Sequence, residues 1–370
     1  MAPTRAPRSA IIGAGMVGSV HAHAVRRAGG RLVAVCASTP QRSHAAAERL
    51  GADRSATAEQ IIASDDVDVV HICTPNDVHH GQAMATLANG KHVICEKPLA
   101  TTVEDAAELV QAADLSAAVA AVPFIYRFYP MVREARSGIA TSPLWLIHGS
   151  YLQDYLATAD PGGWRSDPDQ TGVSMTFADI GSHWCDLMEF VTGHRINAVS
   201  AVEASAPHSN ARQDDGAVVA FRTDRGAIGS VIVSQASPGR KNQLSFSFDG
   251  RDIAVLFDQE HPDELIIAGL RANTWLARDG AALDPENARY SVLPSGHPQG
   301  YQDCFNLFVA DLYHAVHTGT PPEGLPLFAD GLRATTIHAA VAASVRSASW
   351  VDIPTAKPQP PGDSTLGGRQ

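Results

Sequence analysis

The sequence predicts two folding units of different class: an α/β unit on a doubly wound parallel sheet, then an α+β unit with a mostly antiparallel sheet. Three observations carry this. An apolar run, Ala10-Ile11-Ile12, leads into Gly13-Ala14-Gly15-Met16-Val17-Gly18 and then a helical stretch. Strand-like and helix-like segments alternate from there to Cys95, the pattern of successive βαβ units. Between Asn197 and Ala268 a run of strand-like segments follows with only turn residues between them. A length of 370 residues exceeds what one hydrophobic core ordinarily organises, so the division is expected at 1–123 and 124–354.

In the first unit, glycines spaced GxGxxG between a strand and a helix have separate tasks. Gly13 permits the tight turn, Gly15 lets the backbone approach a pyrophosphate, and Gly18 allows close helix–strand packing. The helix, Ser19 to Arg27, then points its positive end at phosphate charge. This is the dinucleotide fingerprint of a Rossmann unit, with Met16 and Val17 inside the turn. The second strand, Arg31 to Ala37, ends where an adenosine ribose would lie. An NAD site usually places a carboxylate there, but this chain has Ser38 and Thr39, with Arg42 shortly after. Those three residues suit a 2′-phosphate as well, and Arg42 also suits a solvated helix start, so NAD and NADP both stay open.

Ala45 to Leu50 reads as helix, Val67 to Cys73 as strand, Val78 to Asn89 as helix closed by Gly90, and His92 to Cys95 as strand. Ligands of such sheets bind beyond the carboxyl ends of strands. Two strand-end loops are therefore candidates: Thr74-Pro75-Asn76-Asp77-Val78-His79 and Glu96-Lys97-Pro98.

The second unit opens with Phe124-Ile125-Tyr126-Arg127-Phe128-Tyr129-Pro130 and a helix to about Gly138. Leu144 to Leu152 alternates as a strand and ends in Gln153-Asp154-Tyr155. A polar, aromatic loop follows at Pro161-Gly162-Gly163-Trp164-Arg165-Ser166-Asp167, whose rings suit either a sugar face or domain packing. The stretch from Phe177 to Leu187, FADIGSHWCDL, carries the chemistry. As a helix it sets Asp179 and His183 at i and i+4 on one face, Asp186 near it, and Ile180, Trp184 and Leu187 as a packing stripe. A carboxylate one turn from an imidazole suits proton transfer, and equally a solvated helix face. Strands are expected at 197–206, 216–223, 227–236, 243–249, 252–258 and 264–268. The loop Gly296-His297-Pro298-Gln299-Gly300-Tyr301 precedes a helix at 303–317, and a last helix covers 329–348. The Pro/Gly-rich end, 355–370, reads as a disordered tail.

Composition narrows the partners. A formal net charge of −11 without a Lys/Arg cluster disfavours nucleic acid and anionic membrane. The 5 cysteines lack CxxC spacing, which argues against a disulfide framework or a zinc site and for a reducing compartment. No metal signature is present, and no segment approaches the ~18 apolar residues of a membrane span. The expectation is a cytoplasmic protein.

Taken together, Gly13-x-Gly15-x-x-Gly18, Thr74-Pro75-Asn76-x-x-His79, Glu96-Lys97-Pro98 and Asp179-Ile180-Gly181-Ser182-His183-x-x-Asp186 occur in this order, and the chain resembles the Gfo/Idh/MocA family of NAD(P)-dependent oxidoreductases from Ile11 to about Pro354. One departure is the segment Thr171-Gly172-Val173-Ser174-Met175-Thr176, where many relatives carry a glycine cluster. The resemblance implies an open C-terminal sheet whose outer face supports a homodimer or homotetramer. It implies hydride transfer between nicotinamide and a ring carbon of a sugar, glycoside or cyclitol, with His183 as acid/base, Asp179 orienting it, and Lys97 stabilising charge on the reacting oxygen. Thr74, Pro75, Asn76, His79, Glu96 and Lys97 would join the cofactor site. Tyr126, Asp154, Trp164, Arg165, Asp179, His183, His297 and Gln299 are the implied substrate contacts. The same scaffold also hosts nucleotide-linked keto-sugar reductases, glycosidases that retain NAD, and nucleotide-sensing regulators.

Overall fold

The computed structural model describes residues 5–157, 176–206 and 214–354. The expected loop with Trp164 and Arg165, the segment 171–175 and the tail 355–370 lie outside the described residues.

The first sheet is all parallel and follows the chain as a doubly wound unit. Its elements are β1 (Arg8–Ile12), α1 (Met16–Arg27), β2 (Arg31–Cys36), α2 (Pro40–Leu50), β3 (Arg54–Ser55), α3 (Ala58–Ala63), β4 (Val69–Ile72), α4 (His79–Ala88), β5 (His92–Cys95), α5 (Val103–Asp114) and β6 (Ala120–Ala121). The strand order is β3-β2-β1-β4-β5-β6, so the winding reverses between β1 and β4 and opens a crevice there. Ile11, Val69, Val70 and Ile72 are fully enclosed, as expected of strands covered on both faces. Threonine caps set the helix starts: the Thr39 hydroxyl accepts from Arg42 N at 3.2 Å, and Thr102 accepts from Asp105 N at 3.1 Å.

Among the described residues the second sheet has nine strands: β7 (Leu144–Leu152), β8 (Ile196–Ala204), β9 (Gly216–Thr223), β10 (Ile228–Ser234), β11 (Gln243–Gly250), β12 (Ile253–Asp258), β13 (Glu264–Gly269), β14 (Asn273–Ala277) and β15 (Val351–Asp352). Their order is β14-β13-β12-β11-β7-β10-β9-β8-β15, antiparallel except where β10 runs parallel beside β7. The sequence reading did not include β14 and β15. Asn273–Ala277 is largely exposed and lacks an apolar period, and β15 is only two residues long.

Side chains alternate across this sheet. The inner face carries Val219, Phe221, Val231, Phe246 and Phe248, with the last two rings stacked at 4.2 Å. Against it pack α6 (Pro130–Ile139) and α7 (Ser182–Thr192). Trp184 of α7 is buried here and its indole N–H donates to Ser245 O at 2.9 Å. Gly149 makes room for that contact, since a Cβ there would lie 2.7 Å from the indole nitrogen.

Two late helices, α8 (Tyr301–Thr318) and α9 (Phe328–Ser347), return to the parallel sheet. Phe328 and Leu332 join the apolar cluster of Val93, Leu99 and Ala120, and Val122 N donates to Pro326 O at 3.1 Å. Tyr313 of α8 reaches Ser9 of β1, hydroxyl to hydroxyl, at 2.6 Å. No described helix is long and apolar enough to cross a membrane.

Candidate active site

A crevice of about 600 Å³ opens beyond the carboxyl ends of β1, β4 and β5, where the winding reverses. One wall is the glycine turn. Gly13 has φ +101°, and a Cβ on it would sit 2.3 Å from Cys73 O. A Cβ on Gly18 would lie 2.1 Å from Gly13 O, so this glycine lets α1 press against the turn. Around Gly15, by contrast, a Cβ would meet open space. Gly15 caps α1 without a side-chain hydrogen bond, and no acidic residue stands in the first turn. The positive helix end is thus left for an anionic group, a fit to a dinucleotide pyrophosphate. Met16 and Val17 line the crevice beside it. Arg49 of α2, which the sequence reading missed, braces this turn by donating to Ala14 O at 2.9 Å and Ser19 Oγ at 2.8 Å.

At the end of β2, Ser38 and Arg42 are exposed and paired, Arg42 Nη1 donating to Ser38 Oγ at 3.1 Å. Thr39 instead uses its hydroxyl to cap α2. This arrangement leaves both cofactor forms open.

The two strand-end loops are tied to each other by His79. Its Nδ1 lies 2.8 Å from Pro98 O and its Nε2 3.0 Å from Thr74 O, so both ring nitrogens face backbone and the residue clamps the loops. Burial pushes its pKa down despite these carbonyls. Thr74, Asn76, Glu96 and Lys97 line the crevice, whereas Pro75 does not. The Lys97–Pro98 peptide is cis.

Lys97 meets the Asp179 segment across the crevice. Its ammonium forms a short ion pair with Asp179 Oδ1 and donates to Asp179 O at 2.9 Å. Gln235 Nε2 at the end of β10 donates to Asp179 Oδ2 at 2.7 Å. Here the structure corrects the sequence expectation. Phe177–Gly181 is a π-helical turn, and α7 begins only at Ser182. The wider i→i+5 turn breaks the simple i, i+4 stacking, and Lys97 and Gln235 hold the Asp179 carboxylate. Gly181 permits the turn, because a Cβ there would be 2.5 Å from the Phe177 ring.

His183 Nδ1 is enclosed and has no hydrogen-bond partner among the described residues, while the residue keeps some exposure to the crevice. Edges or faces of Phe124 and Tyr126 meet its ring at centroid distances of 5.7 and 5.1 Å. Burial, with the Lys97 ammonium nearby, pushes its pKa down to about 3, and the Asp179 charge only partly offsets this. The ring is therefore neutral at physiological pH.

Asp186 points elsewhere. Arg127 Nε donates to Asp186 Oδ2 at 2.8 Å, Arg127 Nη2 pairs with Asp186 Oδ1, and the same Nη2 donates to Asp330 Oδ1 at 2.9 Å. Asp186 is thus part of a buried ion cluster that joins α7 to α9.

Of the substrate candidates, Tyr126 lines the crevice next to His183. Burial pushes its phenol up to about 12, so it stays protonated. Asp154 does not line the crevice: its carboxylate accepts from Lys241 Nζ at 2.6 Å and Gly239 N at 3.2 Å. His297 is exposed, its Nδ1 facing Ser295 O at 3.3 Å. Gln299 is buried away from the crevice, donating to Tyr290 O at 2.7 Å and accepting from Val292 N at 3.0 Å. Their loop is pinned by Arg278, which donates to His297 O at 2.6 Å, and only Tyr301 at its end reaches the crevice. Of the opposite wall the sequence reading named Tyr126 but missed Tyr151 and Asn242. There the Tyr126 and Tyr151 hydroxyls meet at 2.5 Å, Tyr151 donates to Asn242 Oδ1 at 2.8 Å, and Gln153 Nε2 donates to the same oxygen at 2.7 Å.

Residues 8–124 match the model of the Gfo/Idh/MocA oxidoreductase family, NAD-binding Rossmann fold, and residues 140–255 match the family's C-terminal domain. The chain is 30% identical to levoglucosan dehydrogenase of Pseudarthrobacter phenanthrenivorans over 359 residues, covering 86% of this chain and 89% of that protein. It is 26% identical to inositol 2-dehydrogenase of Rhizobium meliloti, covering 94% and 99% of the two chains. The solved structure of a levoglucosan dehydrogenase with NADH and levoglucosan superposes with a TM-score of 0.88 at 28% identity, covering 95% of this chain and 100% of that one. A parallel sheet with a glycine turn at its switch point and a mixed second sheet agree with these matches: the chain belongs to the Gfo/Idh/MocA family of oxidoreductases, with an NAD-binding Rossmann domain at its N-terminal side.

Proposed function

We propose that this oxidoreductase is a dehydrogenase that oxidises a ring hydroxyl of a sugar, anhydro-sugar, glycoside or cyclitol, or reduces the matching ketone. The observation that carries this reading is the meeting of Lys97, Asp179 and His183 in one crevice whose other wall is the glycine turn. When bound, the nicotinamide supplies the hydride acceptor. His183, neutral and facing the crevice, takes the hydroxyl proton as hydride leaves. Lys97, fixed by two contacts to Asp179, stabilises the oxygen as negative charge grows on it. Gln235 keeps the Asp179 carboxylate turned toward Lys97. Tyr126, Tyr151 and Tyr301 give the aromatic surface that a pyranose or cyclitol ring packs against, with Gln153 and Asn242 among them as polar contacts.

The test is nicotinamide reduction over a panel of pyranoses, glycosides, cyclitols and levoglucosan, with NAD and NADP in parallel. Turnover with one class is the expected result. Silence across the panel from protein that binds the nucleotide would sink the reading and point to a nucleotide-linked keto-sugar or a retained-NAD glycosidase.

We also infer self-association through the outer face of the second sheet. Cross-strand partners Val202, Val218 and Ile232 form an exposed apolar row over β8, β9 and β10. A second row runs through Leu256, Ile266 and Trp275 on β12, β13 and β14, with Trp275 63% exposed. Exposed apolar rows of this kind mark protein interfaces. Ile232→Glu is expected to shift the sedimentation coefficient from oligomer toward monomer. A monomeric wild-type protein at micromolar concentration would refute this.

A further inference from the structure

A buried polar chain runs from the crevice through the first domain. Glu96 Oε1 lies 3.0 Å from His21 Nε2, and His21 Nδ1 lies 2.9 Å from His71 Nδ1. His71 Nε2 is 3.4 Å from Ser9 Oγ, which is 2.6 Å from the Tyr313 hydroxyl. His21, His71 and Ser9 have no exposure at all, while Glu96 lines the same crevice as Met16 and Val17. The second Glu96 oxygen accepts from Lys97 N at 3.2 Å. Five elements supply the chain: β1, α1, β4, the end of β5, and α8.

The donor–acceptor inventory permits two arrangements of its protons. An ionised Glu96 only accepts, so His21 must carry its proton on Nε2. Neutral His21 then accepts at Nδ1, which requires His71 to donate from its own Nδ1. His71 Nε2 in turn accepts from Ser9, and Ser9 accepts from Tyr313. Every hydrogen bond points toward Glu96, and the crevice end carries one negative charge. Adding one proton makes His21 an imidazolium between Glu96 and His71. His71 must then switch tautomer, accepting at Nδ1 and donating from Nε2 to Ser9, and Ser9 donates to Tyr313. The crevice end is then neutral overall. A Nδ1–Nδ1 contact between two buried histidines forces the two states to be discrete, because both nitrogens cannot carry protons at once.

We propose that this chain is a proton-responsive device that sets the charge facing the cofactor, so that affinity for the cationic, oxidised nicotinamide depends on pH while affinity for the neutral, reduced form does not. The proposal rests on the NAD-binding reading of the crevice. The other groups facing the chain are Cys73, Cys95, His79 and Tyr301 around Glu96, Lys97 and Asp179 across the crevice, and Asp68 near Tyr313. Burial holds the two thiols and Tyr301 up and His79 down, which keeps these four from titrating near neutrality. Burial and the neighbouring His21 hold His71 down as well, and of the two imidazoles it is His21 that touches the Glu96 carboxylate.

The experiment is titration calorimetry of the full chain with NAD and NADH from about pH 8 to about pH 5.5, in buffers of different ionisation enthalpy, so that bound or released protons are counted. Binding of the oxidised form is expected to release up to one proton, with Kd rising toward tenfold per pH unit at the acid end. NADH should release close to none. His21→Gln keeps an N–H for Glu96 and an acceptor for His71 but takes no second proton, so its Kd for the oxidised form should stay within about twofold over the same range. Equal proton release by both cofactor forms, or wild-type pH dependence in His21→Gln, would overturn the proposal. The wild-type proton count stands alone if that variant does not fold. Failure of the wild-type protein to bind either form would remove the cofactor reading itself.

Discussion

His183→Ala is expected to lower turnover by about 10²–10⁴-fold while the nicotinamide cofactor still binds. The imidazole is held neutral by burial and placed against the Phe124 and Tyr126 rings, with its Nδ1 enclosed. Its neutral form is the one that accepts a proton, so oxidation persists as pH falls below neutrality. The acid limb belonging to this residue lies near the depressed value of about 3 rather than the ordinary 6.5. The same sign governs stability. The unfolded chain takes up this proton below its ordinary value and the folded chain does not, so this contribution to stability is lost as pH falls through the window between them. Lys97 is one of the two causes of the depression. Lys97→Met should therefore reduce turnover and also move the residual acid limb upward. Rate profiles of the wild type and both variants, with cofactor affinity measured separately, check this. Wild-type turnover in His183→Ala would end its assignment as the proton acceptor, and an unmoved limb in Lys97→Met would end the coupling.

The second large effect lies away from the chemistry. Arg127 is enclosed between Asp186 and Asp330, with the Phe190 ring 5.1 Å from its guanidinium. Two carboxylates share one guanidinium, which stays protonated because both charges face it. Asp330 also accepts from Leu327 N at 2.9 Å and so fixes the start of α9. Removing one partner of a buried pair leaves an uncompensated charge and costs about 3–5 kcal/mol. Total stabilities are only ~5–15 kcal/mol, so Arg127→Met should bring the folded state close to its limit. Replacing Asp186 by leucine at the same time should recover part of the loss, since apolar packing substitutes well for a buried pair. Denaturant midpoints measure both. A midpoint for Arg127→Met within experimental error of wild type would show that the cluster contributes little.

The legible parts of this molecule were those whose cause is local. The glycine turn follows from spacing, because Gly18 answers a contact inside its own βαβ unit, against Gly13, and Gly13 meets Cys73 at the end of the adjacent strand β4. Strands of the second sheet were legible from alternation wherever one face is buried, and β14 was not because neither face is. The crevice was half legible. Lys97 stands at a strand end, where α/β sheets hold ligands, and the FADIGSHWCDL stretch announced itself by composition. The relation of Asp179 to His183 was not legible, since a 3.6-residue period gives no warning of a π turn that depends on Phe177 lying over Gly181. Tyr151, Gln235 and Asn242 were missed for another reason. They converge only because β7 sits between β10 and β11, an order that no short-range pattern encodes. His297 and Gln299 lie off the crevice for the converse reason: Asp263 and Arg278 from a distant hairpin hold that loop.

The return of α8 and α9 to the parallel sheet has a consequence for how the chain becomes whole during synthesis. A ribosome that has released residues as far as Val122 has made all six parallel strands, yet Phe328 and Leu332, which fill the cluster beside Val93 and Leu99, do not exist for another two hundred or so residues. The N-terminal third therefore waits, with one apolar flank uncovered, until nearly the last segment emerges. Order of translation and order of completion diverge here: the first domain begun is among the last finished, and the nascent chain is most in need of protection while the second sheet is being made.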